Sequence, residues 1–437
     1  MICPLSKSKK YGGYGLILKA CHGLQSAIKD DKINLYFEGG QICFSDEGNF
    51  DTVCEWAESK IQKELSRGAV FGKTLTQVDI AQVDGITVCS CRKCREFNKE
   101  EDSSAATMID FANRVAENFE ESAPGVRFSV LLYCFTIKPP KTVIPHKNLH
   151  LSYCFYLDNA YGTRVCMNHP FDGTQCTTHR EAEKDFITNV YFAEMFEKWA
   201  TYGCWMDVWY YGEFYYTAVP TPDLMLHYDN VRYLRDHGVK GWYGGQGGDE
   251  DYLELESYLQ LKLMWDCDIT REEYLDLIRE IFVINYGEVA GEDMYEYFLL
   301  WDKSGRDMGC GVSLKGEVDK KVDFAFYASH YEEMIHLFEE AMEYAPTFHA
   351  YDSVEELSLH MDFVGLSGRW KNWYENGTDE EKAFICDRYK TFYDRAVKYD
   401  MKLNVVNADI WPNEFSHFPK EGMDFTKSPV EYFQPMK

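Results

Sequence analysis

The chain has 437 residues, of which 45% are hydrophobic and 16% aromatic, so it can bury a sizeable core and does not have the composition of a disordered chain. Its net charge of −27 at pH 7 repels phosphate backbones and argues against a nucleic-acid partner. The cysteine count is 15, an odd number spread along the chain, which predicts a reducing, cytoplasmic location and not a disulfide scaffold. The sequence predicts neither a signal peptide nor a membrane-spanning segment.

The first part of the chain gives weak signals. Two short strands are predicted, at Gly15–Ala20 and Ile33–Phe37. A helix with an apolar stripe is predicted to run through Leu65, with Asn49 or Asp51 as its cap.

A stronger signal begins at Gln77. Alternating apolar and polar residues predict a strand from Gln77 to Val83, which ends on Asp84-Gly85. A strand of this kind delivers the Asp84 carboxylate to a loop.

Three thiols follow this strand within six residues, at Cys89, Cys91 and Cys94. Zinc sites usually take four ligands, so a metal here would need a fourth from elsewhere, such as Cys134 or Cys154. The competing interpretation is a buried, reduced cluster that only packs the loop.

Strand and helix signals then alternate along the chain. The predicted elements are a helix at 106–119, strands Arg127–Phe135 and Asn148–Tyr156, a helix at 181–200, a strand Tyr202–Phe214, a helix Asp229–His237 and a strand Val239–Tyr243. This alternation predicts parallel β/α units. No Gly-rich phosphate fingerprint follows a strand, and polar and aromatic residues gather at strand ends. Both observations favour an α/β fold of the (β/α)-barrel type over an open sheet.

The rest of the chain is predicted to be helical. Capping-box patterns at Thr270, Ser353 and Thr378 each precede an apolar helical run, and a late strand is predicted at Met401–Ile410. We therefore predict a barrel domain over residues 1–300 and a helical C-terminal domain over residues 301–437.

An ordered set of short motifs resembles a known bacterial family. The motifs are Asp84-Gly85, the CxCxxC thiols, Lys138–Lys141, His169-Pro170, Pro220–Leu224, His237–Gly241 and Leu263–Asp266. Their order and spacing resemble the domain-of-unknown-function 4838 family, which is similar to glycoside hydrolase family 163. The chain departs from the family at Val208–Tyr210, at Glu213 and at Tyr243–Gln246. The resemblance implies a (β/α)8 TIM-barrel-like fold. The first barrel units common in longer members are short or missing, so we expect the barrel to be incomplete at its N-terminus.

The resemblance implies a retaining glycoside hydrolase that acts on N-acetylglucosamine-containing glycans, with the substrate's own acetamide as nucleophile. Such an enzyme needs one carboxylate to orient the acetamide and one acid to protonate the leaving oxygen. We assign Asp84 to the first role and Glu213 to the second, with Asp207, Asp158 and Asp249 in reserve.

Further side chains near the strand ends are candidates for binding the glycan. They are Trp209, Tyr211, Trp242, Asp207, His169 and Tyr133. The tryptophans and Tyr211 are expected to stack on pyranose faces, and packing in the core is the competing interpretation. His169 is expected to hydrogen-bond a sugar hydroxyl, and a loop histidine held by local hydrogen bonds is the competing interpretation. Asp207, Trp209, Tyr211 and Glu213 fall two residues apart and share one strand face.

Two other functions stay open at this point. The departures at 208–213 and 244–246 fit a non-catalytic or degenerate carbohydrate-binding member of the same fold. The thiols at Cys89, Cys91 and Cys94 fit a metal-dependent enzyme. The preferred assignment names no cofactor and no metal, takes a glycan as partner, and leaves the oligomeric state open.

Overall fold

The computed structural model describes residues 15–18, 22–28, 41–71, 74–85, 87–154, 189–211, 224–245, 253–307, 330–364 and 376–399. These residues form two compact units. The first contains the described residues up to 154 together with 189–211 and 232–245, and the second contains 224–231 and 253–399. The domain boundary predicted after residue 300 falls inside a helix, Glu288–Asp307.

The first unit is built on a sheet of six parallel strands. They are β1 (Gly15–Leu18), β2 (Thr74–Asp79), β3 (Arg127–Leu132), β4 (Leu149–Cys154), β5 (Trp205–Tyr211) and β6 (Gly241–Gly245). Their order in the sheet is their order in the chain, and every neighbouring pair is parallel. This sequential order is that of a (β/α) barrel, whereas in doubly wound sheets the order of the strands reverses at one point. The described residues thus form an incomplete α/β barrel, and the expected eight-stranded closure is not seen among them.

Helices connect and follow these strands. They are α1 (Leu24–Ile28), α2 (Glu47–Phe71), α3 (Arg92–Glu100), α4 (Ala106–Asn118), α5 (Asn189–Ala200) and α6 (Leu224–Asp236). The predicted strands Ile33–Phe37 and Met401–Ile410 lie outside the described residues. α3 is a correction, because the sequence indicated a thiol-rich loop here. The Cys91 thiol accepts a hydrogen bond from the Cys94 backbone N–H and so caps the start of a helix.

The two faces of the sheet differ in chemistry. In β3 and β4 the residues of one face are apolar and buried, and Tyr153 packs there against α5, with its hydroxyl donating to the Phe192 carbonyl at 2.8 Å. The opposite face carries polar side chains in register on neighbouring strands: Gln77, Asp79, Ser129, His150, Ser152 and Asp207. We call this second surface the polar face. The carboxyl edge of the polar face is where a barrel fold places its functional groups.

The second unit is helical. Its helices after α6 are α7 (Leu253–Trp265), α8 (Arg271–Tyr286), α9 (Glu288–Asp307), α10 (Tyr331–Tyr344), α11 (Phe348–Val364) and α12 (Asp379–Lys398). Thr270 and Thr378 cap α8 and α12 as predicted, each with a glutamate three residues on. The predicted start at Ser353 is wrong. α11 begins at Phe348, and the Thr347 hydroxyl before it accepts from the Ala350 N–H at 3.1 Å.

Candidate functional site

The Asp84 carboxylate lies at the carboxyl edge of the sheet, in the loop after β2. Its Oδ1 accepts a hydrogen bond of 2.6 Å from the hydroxyl of Tyr133, which follows β3. The same phenol oxygen accepts from the Gly85 N–H at 3.1 Å. Gly85 has φ +131°, a left-handed conformation that favours glycine, and this turn brings its N–H to the phenol. The Asp84 side chain is 75% exposed, so a ligand can reach the carboxylate.

Tyr133 holds its proton firmly in this arrangement. Burial of the phenol, reinforced by its hydrogen bond to Asp84, raises the pKa of Tyr133 well above its ordinary value. The hydroxyl therefore stays a donor to Asp84 over the whole physiological pH range. The Asp84 carboxylate is therefore held in place by a neutral hydrogen-bond donor.

His22 is a neighbour that the sequence did not point out. Its Nδ1 lies 2.7 Å from the Gln82 carbonyl oxygen, and because a carbonyl only accepts, Nδ1 carries a proton. Its Nε2 lies 3.9 Å from Asp84 Oδ1. The ring is also 5.9 Å from the ring of Tyr133. The signal available in the sequence was His22-Gly23 close after a predicted strand, the position where barrel folds place functional side chains.

Two glutamines hold the loop that carries Asp84. Gln82 is buried, and its Nε2 donates to the Leu131 carbonyl at 2.8 Å, which ties this loop to the end of β3. The side chain of Gln41 pairs with both backbone groups of Val83, donating to its carbonyl and accepting from its N–H. The backbone before Asp84 is therefore fixed from two directions.

Asp207 lies deeper in the fold than the other candidates. It is the third residue of β5 and is buried on the polar face, where its Oδ2 is 2.8 Å from His150 Nε2. The other ring nitrogen of His150 is 2.5 Å from Gln77 Oε1. Asp207 thus belongs to a buried chain of polar groups across the sheet, and the structure does not bring its carboxylate to Asp84.

The two candidate tryptophans, Trp209 and Trp242, lie on opposite faces of the sheet. Trp209 packs, with Tyr133, against the buried cluster of Ala81, Leu131 and Cys154 at the carboxyl edge of the polar face. Trp242 pairs in register with Val208 and packs on Tyr210, with ring centroids 4.1 Å apart. Since Val208 and Tyr210 point to the opposite face from Trp209, Trp242 is buried away from Asp84 and is not part of the same site.

Three predicted site residues cannot be placed with the others. Glu213 and His169 lie outside the described residues. Tyr211 is the last residue of β5, in register with Gly245, and its backbone alone is described. Their assignments stay predictions.

The thiol cluster has a fourth member that corrects the sequence interpretation. The sulfur atoms of Cys43, Cys89, Cys91 and Cys94 all lie within 4.8 Å of one another. Of the expected fourth ligands, Cys154 packs in the sheet core with Ala81 and Leu131 instead. Cys134 is also outside the cluster, in the turn after β3. A lone cysteine before a helix carries no spacing signal, so Cys43 was missed.

A cleft of about 650 Å³ lies beside the segment Val88–Ser90. Residues of α3 and of the turn after β3 also line it. Its cationic side chains include Arg95, Lys99 and Lys138, and Lys138 is paired with Asp102 at 2.7 Å. Neither Asp84 nor Tyr133 lines it. We therefore place the candidate site at Asp84 and not in this cleft.

Within the described part of the chain, no helix combines the length and apolar character needed to cross a membrane.

Comparison with solved structures gives distant likenesses to glycoside hydrolases. One is to a family GH115 4-O-methyl-α-glucuronidase, BtGH115A, with specificity for decorated arabinogalactans: TM-score 0.49 and 12% identity, over 91% of this chain and 50% of that one. Another is to a GH138 enzyme targeting pectin rhamnogalacturonan II: TM-score 0.35 and 10% identity, over 82% of this chain and 54% of that one. The chain thus spans about half the length of these structures. No curated protein matches the sequence.

A family match covers most of the chain that carries the sheet and the site. The family described as "Domain of unknown function (DUF4838)" matches residues 26–298. That range includes Asp84, Tyr133, the four clustered thiols and strands β2 to β6. The chain belongs to the DUF4838 family.

Proposed function

We propose that this protein is a retaining glycoside hydrolase acting on N-acetylglucosamine-containing glycans. The observation that carries the proposal is the exposed Asp84 carboxylate, held by the Tyr133 hydroxyl at the carboxyl edge of six sequential parallel strands. Membership of a family that resembles glycoside hydrolase family 163 supports it. The proposal includes a (β/α)8-type scaffold, of which these strands are part.

The chemistry we propose is substrate-assisted. The acetamide oxygen of the substrate attacks the anomeric carbon, and the bond to the leaving oxygen breaks. Asp84 accepts the acetamide N–H and stabilises the positive charge that develops on the ring formed. Glu213 donates a proton to the leaving oxygen and then takes one from the water that opens the intermediate. The anomeric configuration is retained because two inversions occur.

The neighbours of Asp84 have matching roles in this scheme. Tyr133 occupies Oδ1 of Asp84 and so orients the other oxygen toward the ligand. His22 places Nε2 beside the carboxylate, within reach of a hydrogen bond with a sugar hydroxyl. Trp209 offers an aromatic surface at the same edge for a pyranose face.

The test is turnover of complex N-glycans and of an aryl β-N-acetylglucosaminide, read by mass spectrometry. We expect released sugar, a loss of about 100-fold or more in kcat for Asp84→Asn and Glu213→Gln, and little change for Glu121→Gln, an exposed carboxylate on another loop. A thiazoline analogue of the cyclic intermediate should inhibit. Full activity in Asp84→Asn would remove the assignment.

Glycan binding without hydrolysis is the second candidate. The departures from the family at Val208–Tyr210, Glu213 and Tyr243–Gln246 favour it, because they fall at the ends of β5 and β6. Saturable glycan binding that Trp209→Ala weakens, with no product from either substrate, would replace the hydrolase by this function.

A further inference from the structure

We propose that Cys43, Cys89, Cys91 and Cys94 bind one zinc ion in a closed, four-thiolate structural site. Their sulfur atoms lie within 4.8 Å of one another and come from two separate segments of the chain. Cys43, Cys89 and Cys94 are buried, and Cys91 is half-buried. Four thiols around a common centre are the ligand set of structural zinc sites.

The sulfur spacing fits a tetrahedral ion. Zinc–sulfur bonds of about 2.3 Å place tetrahedral sulfurs roughly 3.8 Å apart. Cys43 Sγ lies 3.7 Å from Cys91 Sγ and 3.9 Å from Cys94 Sγ. A disulfide needs about 2.05 Å, and all four cysteines are free.

Hydrogen-bond donors surround the sulfurs as they do around metal-bound thiolates. The Cys91 sulfur accepts from the Cys94 N–H at 3.4 Å. The backbone N–H of Ser45 donates a hydrogen bond to the Cys43 sulfur, and that of Cys91 donates to the Cys89 sulfur. The Ser45 hydroxyl lies 2.9 Å from Cys94 Sγ. Donors of this kind orient ligands and stabilise the negative charge on sulfur.

The ligand set indicates a structural and not a catalytic ion. Four protein ligands complete the coordination of zinc, so no position is left for water or substrate. This separates the site from the metal-dependent enzyme considered from the sequence.

The site joins two segments that hold Asp84. Cys43 lies in the segment Gln41–Ser45, whereas the other three ligands follow the Asp84 loop. Gln41, two residues before Cys43, pairs with both backbone groups of Val83, directly before Asp84. A metal at the thiols thus fixes the support of the Asp84 loop. Any effect on turnover rests on the proposed function, but metal binding does not.

The test is the metal content of the purified full-length chain, measured by inductively coupled plasma mass spectrometry. We expect about one zinc per chain and loss of most of it in Cys43→Ser and in Cys89→Ser. The matched controls Cys54→Ser and Cys204→Ser alter half-buried thiols outside the cluster and should keep the ion.

A second measurement covers the case in which the ligand variants do not fold. Cobalt exchanged into the wild-type protein should give the intense absorption of a tetrahedral thiolate site, and Cys91→His should still bind zinc with an altered spectrum. Folded wild-type protein without zinc, even after zinc is supplied, would overturn the proposal. So would iron in its place, or a Cys43 disulfide seen in the intact mass. These outcomes do not depend on finding a substrate.

Discussion

The Tyr133 hydroxyl contacts both the Asp84 carboxylate and the Gly85 N–H, so one atom links the carboxylate of the proposed site to its loop. We predict that Tyr133→Phe lowers kcat/KM about 10- to 100-fold, the range expected when a hydrogen bond to a charged group is removed. Steady-state kinetics on the aryl glycoside checks this.

The control for this change is Tyr202→Phe, because the Tyr202 hydroxyl makes a long hydrogen bond of 3.4 Å to the Pro140 carbonyl, away from Asp84. It should leave kcat/KM unchanged. Equal activity in both variants would show that Tyr133 does not position the carboxylate.

Burial of His360 makes the free energy of unfolding of the helical unit depend on pH. This residue is fully buried beside the Tyr297 hydroxyl, and burial lowers the pKa of His360 from 6.5 to about 3. Below pH 6.5 the unfolded chain binds a proton that the native protein refuses, so the free energy of unfolding falls as pH falls. The slope contributed by this group is about 1.4 kcal/mol per pH unit until pH reaches about 3.

Urea unfolding between pH 7 and pH 4 measures that slope. His360→Gln removes the titrating group, and we expect a flatter dependence of the unfolding free energy on pH, even though the variant is less stable at pH 7. His336→Gln is the control, since its side chain is 67% exposed. An unchanged slope in His360→Gln would assign the acid sensitivity to other groups.

At the scale of elements, Gly23 sets how closely the start of α1 approaches β2. A Cβ at Gly23 would lie 1.7 Å from the Asp79 carbonyl oxygen, a backbone atom that cannot turn aside. The Leu24 N–H also donates to the Ala81 carbonyl at 3.1 Å. We predict that Gly23→Ala lowers the free energy of unfolding by about 1–3 kcal/mol or more, since the connection must shift.

Gly48→Ala is the matched control, because a Cβ there meets only the Asp46 side chain at 3.2 Å. Alanine in α2 should be neutral or mildly stabilising. Thermal unfolding of both variants checks the pair. Equal midpoints would mean that α1 is not held against β2.

Much of the sheet could be predicted from the sequence, because apolar runs and turn residues mark β3, β4 and β5 within a few residues. The strand after Thr74 ends at Asp79, earlier than expected, because the Asp79 carboxylate accepts from the Ala81 N–H at 2.9 Å and turns the chain there. Local patterns carry this kind of information well.

The candidate site was only partly predictable, because its parts come from distant positions in the sequence. Asp84 stood out by its place after a strand, whereas His22 and Cys43 reach the loop from 40 or more residues away. Trp242 was grouped with Trp209 by residue type, and only the register of β6 reveals that the two lie on opposite faces. Tertiary proximity of this kind leaves no periodic signal in one sequence.

At the scale of the whole molecule, the chain folds into two compact units. The thiol site belongs to the unit with the sheet, and His360 belongs to the helical unit. Because local opening free energies differ across a structure, a change at the thiols or at His360 should alter the stability mainly of the unit that contains it. Hydrogen exchange read by mass spectrometry resolves the two.

We predict that removing the metal from the wild-type protein with a strong chelator accelerates amide exchange at residues 41–45 and 80–94 and leaves α8 and α9 unchanged. The reason is that the ion would join the segment with Cys43 to the segment with Cys89, Cys91 and Cys94, which follows Asp84 in the chain. Loss of the ion would release both segments. His360→Gln at constant pH should do the reverse, accelerating exchange in α9 and α11, where His360 packs on Tyr297. Chelator treatment that accelerates exchange equally everywhere would mean that the two units unfold as one, and no change at 41–45 would mean that the thiols do not stabilise the loop.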